Sequence, residues 1–386
     1  MTSAVAPGSR PILGVNGLRL AKGRSGVART IEAILRACGA QDHPFSEVRV
    51  YLPRAIADAG SYPAIVRFVV TGSRLPLALW EQVALPAAHG RRDLLLCPSY
   101  VLPLSARCPT VLIHHGSYEG YPQAFPWWPR TKARVLYQLS ARRATTVTTV
   151  SHYSKRDMIR FYGMPGEKIH VVPEGVDTRL FRPIHDAEVL AAWRRRILGA
   201  DVPFFLYVGR PSSRRNLPSL FAAFGALRQE CRLPHKFLWI GSGLEGVPLD
   251  ATIDGLGLAE HIVRVPHAEH SDIALAYNAS EMLVYPSSYE GFGMPVLEAM
   301  ACGTPVIALD NTAFPEFAGG VAWLLPDARV ETLKDAMGAL LVDAAERKRM
   351  GIEGPRRAAA YDWQPITRRY LDLMIETAAR HRQPAR

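Results

Sequence analysis

Short apolar runs alternate along the chain with longer stretches whose apolar residues recur every three or four positions, the signature of strands feeding helices in a parallel α/β architecture. "PILGVN" (11–16) predicts a strand, and "VARTIEAILRAC" (27–38) a helix stopped by Gly39. "DLLLCP" (93–98), "TVLIHH" (110–115), "ATTVTTVS" (144–151) and "KIHVVPEGV" (168–176) continue the strands, with a helix at "KRDMIRFYG" between the last two. A second series begins after Pro183. It has a linker helix at "DAEVLAAWRRRIL", a strand at "FFLYVG" (204–209), a helix at "LPSLFAAFGALRQE", and strands at 236–241, 261–266, 282–286 and 305–309. Two series joined near residue 184 predict an α/β protein with two doubly wound parallel (Rossmann-like) sheets facing a cleft, with ligands at the carboxyl ends of the strands.

A length of 386 residues fits two to three domains, and 48% hydrophobic with 21% charged residues is globular composition. Five cysteines (Cys38, Cys97, Cys108, Cys231, Cys302) have no paired spacing, which argues against a disulfide framework or zinc site and for a reducing, cytoplasmic setting. The N-terminal "MTSAVAPGSRPILGVNG" lacks the apolar core of a signal peptide, and the most apolar later stretch is broken by Arg67, Arg74 and Glu81, so no membrane span is expected. The net charge of +11 is lopsided. Residues 1–185 hold 24 Lys/Arg against 11 Asp/Glu, whereas 186–386 hold 22 against 24. The first half therefore suits an anionic partner, or simply carries a soluble basic surface.

The densest chemistry lies in "SSYEGFGMPVLEAMACGTPVIA". A strand ends at Pro286, Pro295 suits the first position of the next helix, and Gly303 suits its stop. "SSYEGFGM" is then a strand-to-helix turn whose amides at Gly291, Phe292, Gly293 and Met294 can converge on an anion. Glu298, placed in the first helical turn, leans back towards that ligand, while Glu290 stands at the mouth of the turn. Two carboxylates around an anion site fit a ligand with hydroxyls at both ends, such as a ribose and a sugar. After the first strand of the second series, "YVGRPSSRRNLPSL" offers Arg210 and Arg215 as a diphosphate clamp, with Arg214 an alternative in the same loop.

"YPSSYEGFGMPVLEAMACGTPVIA" resembles the signature of the retaining glycosyltransferases of family 4, which have the GT-B architecture. The resemblance implies an N-terminal acceptor-binding domain (1–184), a C-terminal donor-binding domain (185–361) and a final segment (362–386) returning to the N-domain. It implies that Glu290 contacts the transferred sugar, that Glu298 binds the ribose, and that the Gly291–Met294 amides meet the sugar and diphosphate. Arg210 and Arg215 stand where the family carries arginine and lysine. His114, at the end of "TVLIHH", matches a histidine that meets the donor sugar. "RSGVARTIEAIL", with Ser25 as a helix N-cap, resembles the family's glycine turn under the diphosphate at Gly26. The chain departs from the pattern at His115, where an aspartate is usual, and at Glu174, where an asparagine is usual. The second is expected to be a linker change of small consequence.

The implied function is retaining transfer of a hexose, with mannose the best guess, from a GDP- or UDP-sugar to a saccharide or polyprenyl-linked acceptor in bacterial polysaccharide or glycolipid synthesis. There is no Asp-x-Asp metal motif, so no metal or other cofactor is expected and Arg210 and Arg215 meet the leaving diphosphate. A GT-B epimerase or phosphorylase is the rival, although no lysine for pyridoxal stands in the donor-side motifs. A nucleic-acid binder would leave the paired glutamates without a role. "YPQAFPWWPRTKARVLYQLSARR" carries Trp127, Trp128, Arg130, Lys132, Arg134, Arg142 and Arg143. It fits either a peripheral contact with an anionic membrane or a packed helix with a solvated face.

Overall fold

The computed structural model describes residues 10–21, 26–72, 75–88, 90–121, 127–241 and 249–380. Ser25 and the side chains of Trp127, Trp128, Arg130 and Lys132 lie outside the described residues. The chain divides into two compact units.

The first unit comprises residues 1–120, 127–174 and 363–386. Its sheet has seven strands: β1 (Ile12–Asn16), β2 (Glu47–Leu52), β3 (Val66–Val70), β4 (Leu94–Cys97), β5 (Thr110–His114), β6 (Thr146–Thr149) and β7 (Ile169–Val171). All pair in parallel, in the order β3-β2-β1-β4-β5-β6-β7. β1, β4 and β5 are buried on both faces, which is why they read as continuous apolar runs. The helix Gly26–Ala40 lays Ile31, Ile34 and Leu35 against this sheet. Gly39 lies inside that helix and does not end it. It is a packing glycine, because a Cβ there would stand 2.4 Å from Pro63 Cβ.

The C-terminal helix Trp363–Arg380 belongs to this unit's core through Tyr370, Leu371, Met374 and Ala378. Thr377 Oγ1 lies 2.7 Å from Thr146 Oγ1, and Arg369 donates to the Val171 carbonyl at 2.8 Å.

The second unit comprises residues 121–126 and 175–362. Its strands are β8 (Phe204–Val208), β9 (Lys236–Ile240), β10 (Ile262–Val265), β11 (Met282–Tyr285), β12 (Val306–Leu309) and β13 (Trp323–Leu325), in the parallel order β10-β9-β8-β11-β12-β13. The join comes before residue 184. Gly175 onwards packs with this unit, because Val176 bridges Asp362 and donates to the Tyr361 carbonyl at 2.8 Å. The core is rich in aromatic residues, with Phe205, Phe221, Phe224 and Phe237 meeting edge to face. The order reverses at β8, which lies between β9 and β11, so the loops after β8 and β11 flank the switch point where ligands of such sheets bind.

Candidate active site

The loops after β8 and β11 are stapled together. Ser288 N–H donates to the Arg214 carbonyl at 2.7 Å, and Asn216 Nδ2 donates to the Pro286 carbonyl at 2.8 Å and to Ser288 Oγ at 2.7 Å. The staple brings Arg214, Arg215, Glu290 and the glycine turn together.

Glu290 is buried, and its Oε1 carries every hydrogen bond to its carboxylate among the described residues. Arg214 Nη1 donates to it, Tyr285 Oη at 3.0 Å and Ser287 Oγ at 3.1 Å, while Arg215 Nε lies 3.4 Å away. Burial alone would raise this carboxyl, but the charges of Arg214 and Arg215 outweigh it and hold Glu290 below its ordinary value. Its backbone N–H donates to Thr312 Oγ1 at 3.3 Å. Thr312 is a β-branched residue at φ +51°, a strained conformation stored beside the carboxylate.

Sequence reasoning offered Arg214 as an alternative phosphate ligand. In the structure it donates to Glu290, to Ser287 Oγ at 3.1 Å and to the Tyr289 carbonyl. Arg215 donates to the Arg210 carbonyl at 2.6 Å and to Tyr207 Oη at 3.3 Å, with its guanidinium 5.8 Å from the centre of the Tyr285 ring. Its Nη1 occupies the space a Cβ on Gly209 would take, 2.5 Å from that atom. Arg210 is exposed at the end of β8.

The turn between β11 and the helix Met294–Ala301 passes through Gly293 at φ +109°, where an added Cβ would meet Phe314 at 2.5 Å. Among the described residues, the N–H groups of Phe292, Gly293 and Met294 have no protein acceptor. The Phe292 ring turns inward and stacks on Phe317 at 4.6 Å, so only its amide serves the turn. The helix begins at Met294 with Pro295 second, one position later than expected for the proline. Glu298 consequently lies beyond the first turn, which holds no acidic residue. It is buried and accepts from Tyr277 Oη at 3.1 Å.

In the first unit, Gly26 opens the helix Gly26–Ala40 and His114 closes β5. His114 is buried against Tyr100, Tyr137 and Tyr162, with its Nε2 3.0 Å from Tyr162 Oη. Burial, then His115, lowers its pKa to about 3, so the ring is neutral.

Glu174 is no minor linker change. It is buried, with one oxygen 2.7 Å from His115 Nδ1 and the other accepting from Thr30 Oγ1 at 2.6 Å. His115 Nε2 lies 2.8 Å from the Pro98 carbonyl, so both ring nitrogens face oxygen acceptors. The two departures from the family pattern are thus partners. Through them the helix that starts at Gly26, the loop after β4 and the end of β5 are tied together.

Two doubly wound parallel units, the second with an arginine-held carboxylate and an open glycine turn at its switch point, define the GT-B fold class. A model described as "Glycosyl transferases group 1" matches residues 193–357, and one described as "Glycosyltransferase Family 4" matches residues 24–180. The chain is 31% identical over 268 residues to MMP alpha-(1->4)-mannosyltransferase of Mycolicibacterium hassiacum (66% of this chain, 61% of the relative). It is 30% identical over 271 residues to D-inositol 3-phosphate glycosyltransferase of Xylanimonas cellulosilytica (67% and 63%). The matches span less than two thirds of either relative's length. In fold it is similar to sucrose-phosphate synthase of Thermosynechococcus elongatus, with a TM-score of 0.79 at 20% identity, covering 96% of this chain and 100% of that one. The chain belongs to the family 4, group 1 glycosyltransferases.

The Glu174–His115 pair yields a stability prediction. Glu174→Ala and His115→Ala should each cost about 3–5 kcal/mol, because each leaves a buried polar partner unmatched. The double variant should cost clearly less than the sum, as read by denaturant unfolding in a double-mutant cycle. Additive costs would show that the two residues do not act as a unit.

Proposed function

We propose that the chain is a retaining hexosyltransferase. It takes a sugar, mannose as the first choice, from a GDP- or UDP-linked donor and passes it to a saccharide or polyprenyl-linked acceptor. The observation that carries this reading is the asymmetry of Glu290. Oε1 takes the hydrogen bonds of Arg214, Tyr285 and Ser287, while Oε2 receives none among the described residues, and the amides of Phe292, Gly293 and Met294 in the adjoining turn have no protein acceptor there. A carboxylate kept ionised by Arg214 and Arg215, with Oε1 fixed by Arg214, Tyr285 and Ser287, is a good anchor for sugar hydroxyls. Glu290 therefore orients the sugar and stabilises positive charge at its anomeric carbon, and no covalent glycosyl intermediate forms on it. Transfer then proceeds on the face from which the diphosphate leaves.

Glu298 takes the ribose hydroxyls. Arg215, Arg210 and the glycine-turn amides take the diphosphate, so its departing charge is met without a metal ion. Within the first unit, Gly26 at the start of its helix and His114 at the end of β5 are the candidate ligand contacts. The name of the mannosyltransferase relative supports mannose, and that of the inositol 3-phosphate relative supports an acceptor bearing phosphate. An anionic acceptor suits the basic first half of the chain, with 24 Lys/Arg against 11 Asp/Glu over residues 1–185.

A peripheral membrane role rests on the helix Trp127–Arg143. Val135 and Leu139, one turn apart, are 52% and 46% exposed on the helix that carries Arg134, Arg142 and Arg143. No helix among the described residues is long and apolar enough to cross a membrane, so contact would be interfacial.

The two glutamates should fail differently. Glu298→Gln should mainly raise donor KM, because ribose is held alike in ground and transition states. Glu290→Gln should lower kcat on the order of 10²-fold with little change in nucleotide affinity, and wild-type turnover should persist in excess EDTA. Steady-state kinetics with calorimetric nucleotide binding check this. Near wild-type kcat in Glu290→Gln, joint loss of nucleotide binding, or EDTA inactivation reversed by magnesium or manganese would each refute the assignment. For the membrane, Val135→Ser/Leu139→Ser should reduce co-sedimentation with anionic liposomes at low salt. A wild-type protein that stays in the supernatant would end that part of the proposal.

A further inference from the structure

The strand order of the first sheet reverses at β1, which lies between β2 and β4, so the loops after β1 and β4 flank its switch point. One side chain bridges the two loops. Arg19, in the turn Leu18–Ala21 that follows β1, donates through Nε to Ser99 Oγ at 2.8 Å in the loop after β4. Ser99 is buried, so this contact fixes where the guanidinium stands. Among the described residues, the two Nη groups of Arg19 have no protein acceptor and the side chain forms no ion pair.

The turn that carries Arg19 is held from both ends. Asn16 Oδ1 accepts from the Leu18 N–H at 3.1 Å, and Arg54 donates to the Ala21 carbonyl from Nε at 3.2 Å and Nη2 at 2.8 Å. Tyr100 follows Ser99 and stacks on Tyr137 at 4.9 Å. Burial raises the pKa of both phenols, and the charge of Arg19 opposes the rise in each, so the guanidinium stands near both. Both hydroxyls keep their protons, and neither has a hydrogen-bond partner among the described residues. The carboxylates that also act on Tyr137 are engaged: Glu119 accepts from Tyr162 Oη, and Glu81 accepts from Asn16 Nδ2 at 2.8 Å.

The switch point therefore presents donors, a guanidinium fork with two phenol hydroxyls near it. Such a fork takes anionic oxygens in pairs, and a phosphoryl group offers more of them than a carboxylate. We propose that Arg19, with the hydroxyls of Tyr100 and Tyr137, binds a phosphoryl group carried by the acceptor. The inference rests on the glycosyl-transfer reading and gives its acceptor a chemical class and a contact. The half of the chain that holds this site is the basic one, with 24 Lys/Arg against 11 Asp/Glu over residues 1–185. The phosphoryl group belongs either to a soluble sugar or polyol phosphate or to a lipid-linked diphosphate.

Calorimetric titration of the full chain tests this, with GDP or UDP at saturation so that the donor site is filled. The probes are myo-inositol 3-phosphate against myo-inositol, and geranyl diphosphate against geraniol. In wild type, the phosphorylated member of at least one pair should bind on the order of 10- to 100-fold more tightly than its partner. The pair with the larger difference identifies the source, soluble phosphate or lipid-linked diphosphate. Arg19→Gln should erase the preference. A wild type that distinguishes neither pair, or a folded Arg19→Gln that keeps the preference, overturns the proposal.

The same titrations separate an acceptor contact from a donor contact. Arg19→Gln should bind GDP or UDP as wild type does, and a parallel loss of nucleotide affinity would assign Arg19 to the donor diphosphate and overturn the proposal. The double variant Tyr100→Phe/Tyr137→Phe keeps both rings and removes only their hydroxyls. It should weaken the phosphorylated probe roughly 3- to 10-fold and leave the unphosphorylated one unchanged. Melting curves report whether each variant folds, and if Arg19→Gln does not, the double variant decides. An unchanged preference in the double variant overturns the proposal. If neither nucleotide binds wild type, the glycosyl-transfer reading fails, and titration with the probes alone still decides whether Arg19 holds a phosphoryl group.

Discussion

A single buried negative charge organises the second unit. Removing the Glu290 carboxylate from water is costly, and the site around it works to offset that cost. Arg214 leaves solvent to reach it, Arg215 adds a second positive charge at 3.4 Å, and Tyr285 and Ser287 donate hydroxyls. Each accommodation constrains something else. Residue 209 must lack a Cβ so that the Arg215 guanidinium fits. Tyr207 stacks on Tyr285 at 5.4 Å, which fixes the hydroxyl that Tyr285 presents. Thr312 accepts a strained backbone to receive the Glu290 amide. The result is a preorganised carboxylate whose hydrogen bonds among the described residues all fall on one oxygen.

The first unit repeats the physical device with different chemistry. Glu174 is buried in the same way, and its charge is answered by His115 and Thr30. This pair secures the elements that carry Gly26 and His114, while Glu119 and Tyr162 hold the His114 ring from the other side. In both units a buried carboxylate at the carboxyl end of the sheet fixes the loops that bear the proposed ligand contacts.

What the sequence revealed follows from the distance over which its signals act. Strands such as "TVLIHH" and "FFLYV" were legible because a parallel strand buried on both faces is apolar throughout. β2, "EVRVYL", and the edge strand β3, "VRFVV", are not legible, because charged residues interrupt them and neither is buried along its whole length. β13 has only three residues. Gly39 was read as a helix stop because a glycine's role as a packing contact depends on Pro63, which is distant in sequence. The Glu290 turn was legible since its parts are consecutive. Its partner Arg214 was not, because 76 positions separate them. The arginine doublet did hold a clue, since two adjacent cations after a strand call for a nearby carboxylate, and both stand at Glu290. His115 and Glu174 offered a clearer one. Two departures from one family pattern, a base and an acid, are chemically complementary.

The claim that Glu290 is a hydroxyl anchor beside the departing diphosphate, and not an acid or base for attack from the opposite face, requires one stereochemical outcome. Proton NMR of the first-formed product, recorded before any mutarotation or secondary reaction, reads the anomeric coupling of the transferred sugar directly. With an α-linked sugar-nucleotide donor, the new glycosidic bond should be α. A β-linked product would show displacement from the opposite face and contradict the account.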